Sequence, residues 1–264
     1  MEAAFDSVAH QYDETFTFTS VGGSQRQRVW ELLAQNKLLD KPLHILEVNC
    51  GTGEDAIRFA QSGHQILATD ISGEMIEVCR QKTQKRYFSN LEFKQAGFQE
   101  IHTLQAQGKF DLIFSNFGGL NCVSPLELSQ FMKQAYILLK PGGNLVAVIM
   151  PPFCMWETGY YLLKGSWKKA FRRFLEKTEA VIDTHSFPVY YYNPYKLYQT
   201  IADDFEWIEL APVGLFLPPS YLENFFCTRP GWLRFLNKME KITAPLSALG
   251  CVSDHFYLQL RKRL

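Results

Sequence analysis

Net charge is missing from this chain. Its 264 residues carry 27 basic and 27 acidic side chains, a formal charge of zero, so no global field gathers phosphates and a dedicated nucleic-acid binder is disfavoured. Long apolar runs are missing as well. The most apolar stretch, Leu145 to Trp156, is broken by Pro151-Pro152 and is too short to cross a hydrocarbon core of about 30 Å, so no transmembrane span is expected. The cysteines Cys50, Cys79, Cys122, Cys154, Cys227 and Cys251 form no C-x-x-C pair and have no histidine at ligand spacing. That pattern leaves no metal site and reads as mostly buried free thiols. The opening segment holds Asp6, Asp13 and Glu14 and no basic residue ahead of an apolar run, unlike a secretory signal, and a cytoplasmic protein is expected. There are no repeats and no low-complexity linker. What the chain does have is a 47% hydrophobic composition, enough for one large core with room for insertions.

Short apolar runs alternate with helically spaced segments from residue 25 to about 150, the rhythm of βα units around a parallel sheet. Strands are expected at Leu43 to Val48, Gln65 to Thr69, Leu91 to Lys94, Phe110 to Ser115 and Asn144 to Met150. Ser72 stands as a cap before the helix through Met75, Ile76, Val78 and Cys79. Ser124-Pro125-Leu126-Glu127 spells a capping box with proline at the first helical position, and Lys140-Pro141-Gly142-Gly143 is expected to end that helix. Residues 151–189 then carry two expected helices rich in Trp, Tyr and Phe where a short connection would suffice. The α/β rhythm returns with a helix capped by Asn193 and a strand at Phe205 to Leu210. A second insertion follows before a closing strand at His255 to Leu260.

The loop after the first strand separates two classes of ligand. Gly51-x-Gly53-x-x-Ala56, with Asp70 at the end of the second strand, fits a dinucleotide fingerprint and hence a nicotinamide oxidoreductase. A pyrophosphate, however, wants the bare positive end of a helix, and here Glu54 and Asp55 occupy that end while Glu47 sits at the strand tip. A ligand with a ribose, no phosphate, and a cationic amine and sulfonium suits three carboxylates better. S-adenosylmethionine is such a ligand.

Five stretches stand in order: Phe5-Asp6-x-x-Ala9-x-x-Tyr12-Asp13, Leu46-Glu47-x-x-x-Gly51-Thr52-Gly53, Thr69-Asp70-Ile71-Ser72-x-x-Met75, Phe110-Asp111-Leu112-Ile113 and Leu139-Lys140-Pro141-Gly142-Gly143. In these the chain resembles the class I S-adenosylmethionine-dependent methyltransferases, in particular the small-molecule methyltransferase-domain group. The resemblance implies a Rossmann-like, seven-stranded, mostly parallel sheet with helices on both faces and a mainly helical lid made by the two insertions. It divides the chain into an N-terminal lid and helix (1–42), a cofactor-binding core (43–150), a helical aromatic insertion (151–189), a core helix and strand (190–211), a second insertion (212–251) and the final strand (252–264). It implies that Glu47 faces the methionine amine of the cofactor, Gly51 and Gly53 leave room for it, and Asp70 takes the ribose hydroxyls. Ile71 and Met75 flank the adenine, Tyr12 folds over the cofactor, and Asn116-Phe117-Gly118 line the methyl-transfer face. Two departures stand out. Asn49 replaces the family's first glycine, a substitution the turn tolerates because Asn accepts positive φ. Gly97-Phe98 stand where many members place an acid against adenine, so Phe98 stacking or a hydrogen bond from Gln95, Gln99 or backbone must substitute.

No general base is singled out: His10, Asn121, His185, Tyr191 and Tyr192 are the candidates. The segment after the fourth strand lacks the Asn-Pro-Pro-aromatic signature of amino-group methyltransferases acting on DNA, which argues against base flipping. The acceptor is therefore expected to be a small, partly apolar molecule attacked through O, N or C. The aromatics of the insertions (among them Trp156, Tyr160, Tyr161 and Tyr190, with Phe216 and Tyr221) are expected to roof the site and exclude water. Residues 164–177 combine Lys164, Lys168, Lys169, Arg172 and Arg173 with Trp167, Phe171, Phe174 and Leu175. They read either as a cover helix with its apolar face on the domain or as a contact for an anionic substrate or membrane surface. Two other functions stay open: an RNA or protein methyltransferase, which the basic segment would serve, and a non-catalytic cofactor-binding scaffold.

Overall fold

The computed structural model describes every residue except 1–4, 85, 87, 184 and 244, and the side chains of 106 and 107. The first four residues of the expected N-terminal lid thus lie outside the described residues.

Among the described residues nine strands form, in chain order: β1 His44–Val48, β2 Gln65–Asp70, β3 Leu91–Gln95, β4 Phe110–Ser115, β5 Leu139–Ile149, β6 Lys177–Ile182, β7 His185–Tyr190, β8 Phe205–Val213 and β9 His255–Lys262. Seven of them make one sheet in the order β3-β2-β1-β4-β5-β9-β8, in which β9 alone runs antiparallel to its neighbours. The strands β1, β4 and the second half of β5, Leu145 to Ile149, are mostly apolar and buried, as strands covered by helices on both faces are. One core packs Leu46, Ile113 and Leu258 against one layer of helices, and another packs Ile45, Phe114 and Val148 against the other.

The helices are α1 Ser20–Gln35, α2 Glu54–Gln61, α3 Gly73–Thr83, α4 Pro125–Leu138, α5 Met155–Leu163, α6 Trp167–Ala170, α7 Pro194–Gln199, α8 Glu223–Phe226 and α9 Pro230–Thr243. Local chemistry starts several of them. Ser72 Oγ accepts the Met75 amide at 3.1 Å, Ser124 and Glu127 form a reciprocal capping box, and Asn193 Oδ1 takes the amides of Tyr195 and Lys196.

Three expectations need correction. The α4 helix ends at Leu138 rather than at the Pro-Gly-Gly, because Leu139 already pairs with Phe110 and the turn is absorbed into β5 as an irregularity. The insertion 151–189 is helical only in its first part; β6 and β7 form a separate two-stranded hairpin. The basic segment 164–177 is no continuous helix, since α6 has four residues and a 3₁₀ turn at Arg172–Phe174 leads into β6. Its polarity is inverted from that of a cover helix: Trp167, Phe174 and Leu175 are about two-thirds exposed, at 68%, 59% and 62%, while Arg173 is buried. Among the described residues no helix is long and apolar enough to cross a membrane, and no group of three or more His, Cys, Asp or Glu could hold a metal ion.

Candidate active site

The carboxyl ends of β1, β2 and β4 surround a cleft of about 800 Å³ including its open mouth, large enough for a nucleoside-sized ligand. The β1–α2 turn builds one wall. Asn49, Gly51 and Gly53 all take positive φ, at 50°, 54° and 79°. Gly53 also lies where a side chain would collide with Cys79 Sγ at 2.8 Å and the Phe93 ring at 3.0 Å. Asn49 secures its strained position by donating to the Asn116 carbonyl at 2.7 Å and accepting from Ser115 Oγ at 2.6 Å. The glycine at 119 makes room for it, because a Cβ there would stand 2.3 Å from Asn49 Cγ.

Asp70 closes the turn. One carboxylate oxygen accepts the Gly51 amide at 2.8 Å and the other the Ser72 amide at 2.9 Å, leaving further lone pairs on the cleft. Burial raises its pKa and these amides oppose the shift. Glu47 is the more exposed to frustration: it is buried, lines the cleft, and its Oε2 has no hydrogen-bond partner. Burial first, and the nearby Asp55 second, push its pKa well up, with Arg26 opposing. An orphaned buried carboxylate facing a cleft is the counterpart of a cationic amine, and the methionine ammonium of S-adenosylmethionine fits it.

The other two acids of the charge argument have partners already. Asp55 holds Arg26, Trp30 Nε1 at 2.7 Å and Asn116 Nδ2 at 2.8 Å, and Glu54 pairs with Lys82 at 2.6 Å. Glu47 alone therefore carries the preference for a cation over a phosphate. Lys82 also pairs with Asp13, which accepts from Thr52 Oγ1 at 2.6 Å. These bonds pin the N-terminal segment across the glycine loop and bring Tyr12 to the cleft, where burial pushes its hydroxyl up to about 12.

Most of the expected cofactor residues meet at this cleft: Tyr12, Glu47, Asn49, Gly51, Asp70, Ile71 and Met75 from one side, Phe98 and Asn116 to Gly118 from the other. Gly97 lines an adjoining hollow with Ile71 and Phe98, and Gly53 lies beneath the loop. Gln95 bonds the Ile71 carbonyl and Gln99 bonds Glu127.

The base candidates scatter. His10 is exposed beside Glu74, and His185 is exposed on the hairpin. Asn121 spends its amide on Met150 and Tyr190, and the Tyr192 hydroxyl is bonded to the Val123 carbonyl in the core. Tyr191 meets Thr178 at 3.1 Å and lies under Arg173. Many of the lid aromatics join the two insertions instead: Tyr160 and Tyr161 pack on Tyr221, and Trp156 Nε1 donates to the Phe216 carbonyl at 3.1 Å.

Sequence reasoning passed over a pair at the start of β9. His255 Nδ1 lies 3.3 Å from Asp254 Oδ2, and a Cβ built on Gly118 would stand 3.8 Å from His255 Nε2. The ring packs edge-on against Phe117 at 5.7 Å. Burial raises the Asp254 carboxyl, but His255 and Arg173 outweigh it and hold the group well below the usual carboxylate range. Arg173 bonds Asp254 Oδ1 at 2.7 Å and Glu157 at 3.0 Å, so a buried network ties the first insertion to the sheet. Adjacent Asp254-His255 ahead of a strand was the available signal.

This sheet order, with its antiparallel β9, and a glycine turn facing an unpaired acid define the class I S-adenosylmethionine-dependent methyltransferases. Residues 45–143 match the methyltransferase domain model. The ubiquinone/menaquinone biosynthesis C-methyltransferase UbiE of Geotalea daltonii is 33% identical over 173 residues, covering 62% of this chain and 70% of that protein. The demethylmenaquinone methyltransferase of Clavibacter sepedonicus is 32% identical over 165 residues, covering 61% of this chain and 63% of that one. A Burkholderia thailandensis 1,6-didemethyltoxoflavin N1-methyltransferase, solved with its acceptor and S-adenosylhomocysteine bound, shares the fold with a TM-score of 0.58 and 15% identity, covering 100% of this chain and 87% of that one. The chain belongs to the S-adenosylmethionine-dependent methyltransferase family.

Proposed function

We propose that the protein methylates a small, largely apolar ring compound carrying an ionisable hydroxyl, with His255 as the proton acceptor. The observation that carries this reading is the placement of His255, whose Nε2 lies next to Gly118, just behind the lining of the cleft, while Nδ1 faces a carboxylate that stays ionised. Asp254 lies 3.3 Å from Nδ1 without completing a hydrogen bond, and its negative charge favours a proton on that nitrogen, which leaves the Nε2 lone pair for the acceptor. S-adenosylmethionine supplies an electrophilic methyl group when bound. Glu47 and Asp70 hold the cofactor through its ammonium and ribose, and Asn116 to Gly118 fix the plane of approach. Phe5, Phe187, Met150 and Cys122 form an apolar cluster beside the cleft suited to a ring. Transfer of the hydroxyl proton to His255 raises electron density on the oxygen and the conjugated ring carbons, the atoms that would accept the methyl group as the sulfonium becomes the thioether of S-adenosylhomocysteine; after acceptance by carbon, that carbon's own proton would leave and the hydroxyl would be reprotonated. Alignment in a dry site supplies much of the remaining acceleration.

The quinone-ring methylations named for the two curated relatives support a hydroquinone-like acceptor. The neutral overall charge supports a small molecule over RNA, and a cytoplasmic location is part of the same reading. The test has two stages. Calorimetry with S-adenosylmethionine, S-adenosylhomocysteine and NAD is expected to show binding of the first two alone. Release of S-adenosylhomocysteine is then followed with hydroquinones, phenols, amines, RNA and protein. Turnover on a hydroxylated ring supports the reading, turnover on RNA or protein alone overturns it, and cofactor binding with no turnover on any acceptor favours the scaffold.

A further inference from the structure

From Thr158 to Leu175 the chain has five basic residues and no acidic one. Two of the five, Arg172 and Arg173, are committed to Glu157 and Asp254. The other three, Lys164, Lys168 and Lys169, are exposed and make no ion pair among the described residues. Large apolar side chains share this surface. Leu163 is 92% exposed, and Trp167 stacks on Phe171, which contacts Phe174, which in turn meets Phe153. Lys164 lies 4.5 Å over the Tyr160 ring. A water-exposed cluster of this kind is unfavourable unless something covers it.

We propose that this outer face of the first insertion docks on an anionic lipid bilayer. Trp and Phe side chains with interspersed lysines match the boundary between headgroups and acyl chains, where the rings and leucines leave water and the ammonium groups meet phosphates. A second copy of the chain is a poorer occupant, because a two-fold contact would set Lys168 and Lys169 against their own kind. Single-stranded RNA would use the rings and the lysines, yet Leu163 and Leu175 offer no stacking face. The inward side of the same segment carries Arg173 to the buried network behind His255. Docking therefore places the outer face of the first insertion, whose inner side reaches the network behind His255, against the lipid, without depending on what the acceptor is.

The experiment is co-sedimentation of the full chain with sucrose-loaded phosphatidylcholine vesicles, with and without one-third phosphatidylglycerol, at low and high salt. Each lysine near an anionic surface is worth about fivefold in partitioning, so the anionic vesicles are expected to bind on the order of 100-fold more tightly at low salt and to lose most of that advantage at high salt. K168E/K169E removes the preference for phosphatidylglycerol, and W167S/F171S weakens binding to both kinds of vesicle. Cofactor binding by calorimetry stays unchanged in both variants, which shows that they fold. Absence of wild-type binding to anionic vesicles at low salt overturns the proposal, as does equal binding by K168E/K169E. Salt-sensitive dimerisation or RNA retention on filters that these variants abolish, without vesicle binding, assigns the face to those partners instead.

Discussion

Around the glycine turn, polar groups find partners within the turn or on the directly adjacent strands: Asp70 caps Ser72 and reaches Gly51, and Asn49 bridges to Ser115 and Asn116 at the end of the neighbouring β4. At the lid the partners are far apart in the chain, as with Arg173 and Asp254, 81 positions apart, or Gln25 and Asp254, 229 apart. The first arrangement presents a pre-formed site on a rigid sheet. The second ties the first insertion to the sheet by ion pairs whose members are costly to bury singly.

That contrast can be broken at His255 first. His255→Ala is expected to lower kcat on the order of 10³-fold while cofactor affinity stays within twofold; single-turnover kinetics beside calorimetry measure both, and an equal loss of cofactor binding would place the histidine in the wrong half. Arg173→Leu leaves Glu157 and Asp254 with one cation fewer and is expected to cost about 3–5 kcal/mol of stability. Denaturant unfolding measures it, and a nearly neutral result would make the roof independent of the sheet. Asp70→Ala acts on the other half alone, costing about 1–3 kcal/mol of cofactor affinity through lost ribose bonds; undiminished affinity would show that the ribose lies elsewhere.

Glu47→Gln gives the smallest and most diagnostic change. Because the folded pKa of Glu47 is raised, its contribution to apo stability is present below the ordinary value of about 4.3 and is lost as pH rises. The glutamine variant should thus melt higher than wild type at neutral pH while binding cofactor less tightly. Wild-type binding should also release protons, increasingly so toward acidic pH, because an ammonium beside Glu47 favours the carboxylate. Calorimetry in buffers of different ionisation enthalpy reads this directly, and zero release at every pH would mean that Glu47 is charged before binding.

The cofactor half was largely legible because its signals are local: apolar runs for β1, β2 and β4, a serine cap at Ser72, the Ser124–Glu127 box, and a turn whose φ values demand Gly or Asn. The lid half was not. The alternation in Lys177 to Ile182 buries only one side weakly and carries charges, so β6 has little apolar contrast to read. The amphipathic pattern at 164–177 suggested one helix, but the buried Glu157 recruits Arg172 and Arg173 inward and turns the rings out. His255 escaped because the adjacent Asp254-His255 is a weak signal alone, and its position beside Gly118 is set only by the sheet.

The side chain of Asn49 and the missing one at Gly119 also make two positions that are distant in the chain mutually dependent. With glycine at 49, position 119 is free to hold a small side chain; once asparagine occupies 49, any Cβ at 119 meets it at 2.3 Å. Asn49→Gly removes the side chain that a Cβ at 119 would meet, so Gly119→Ala should be accepted better beside Asn49→Gly than alone.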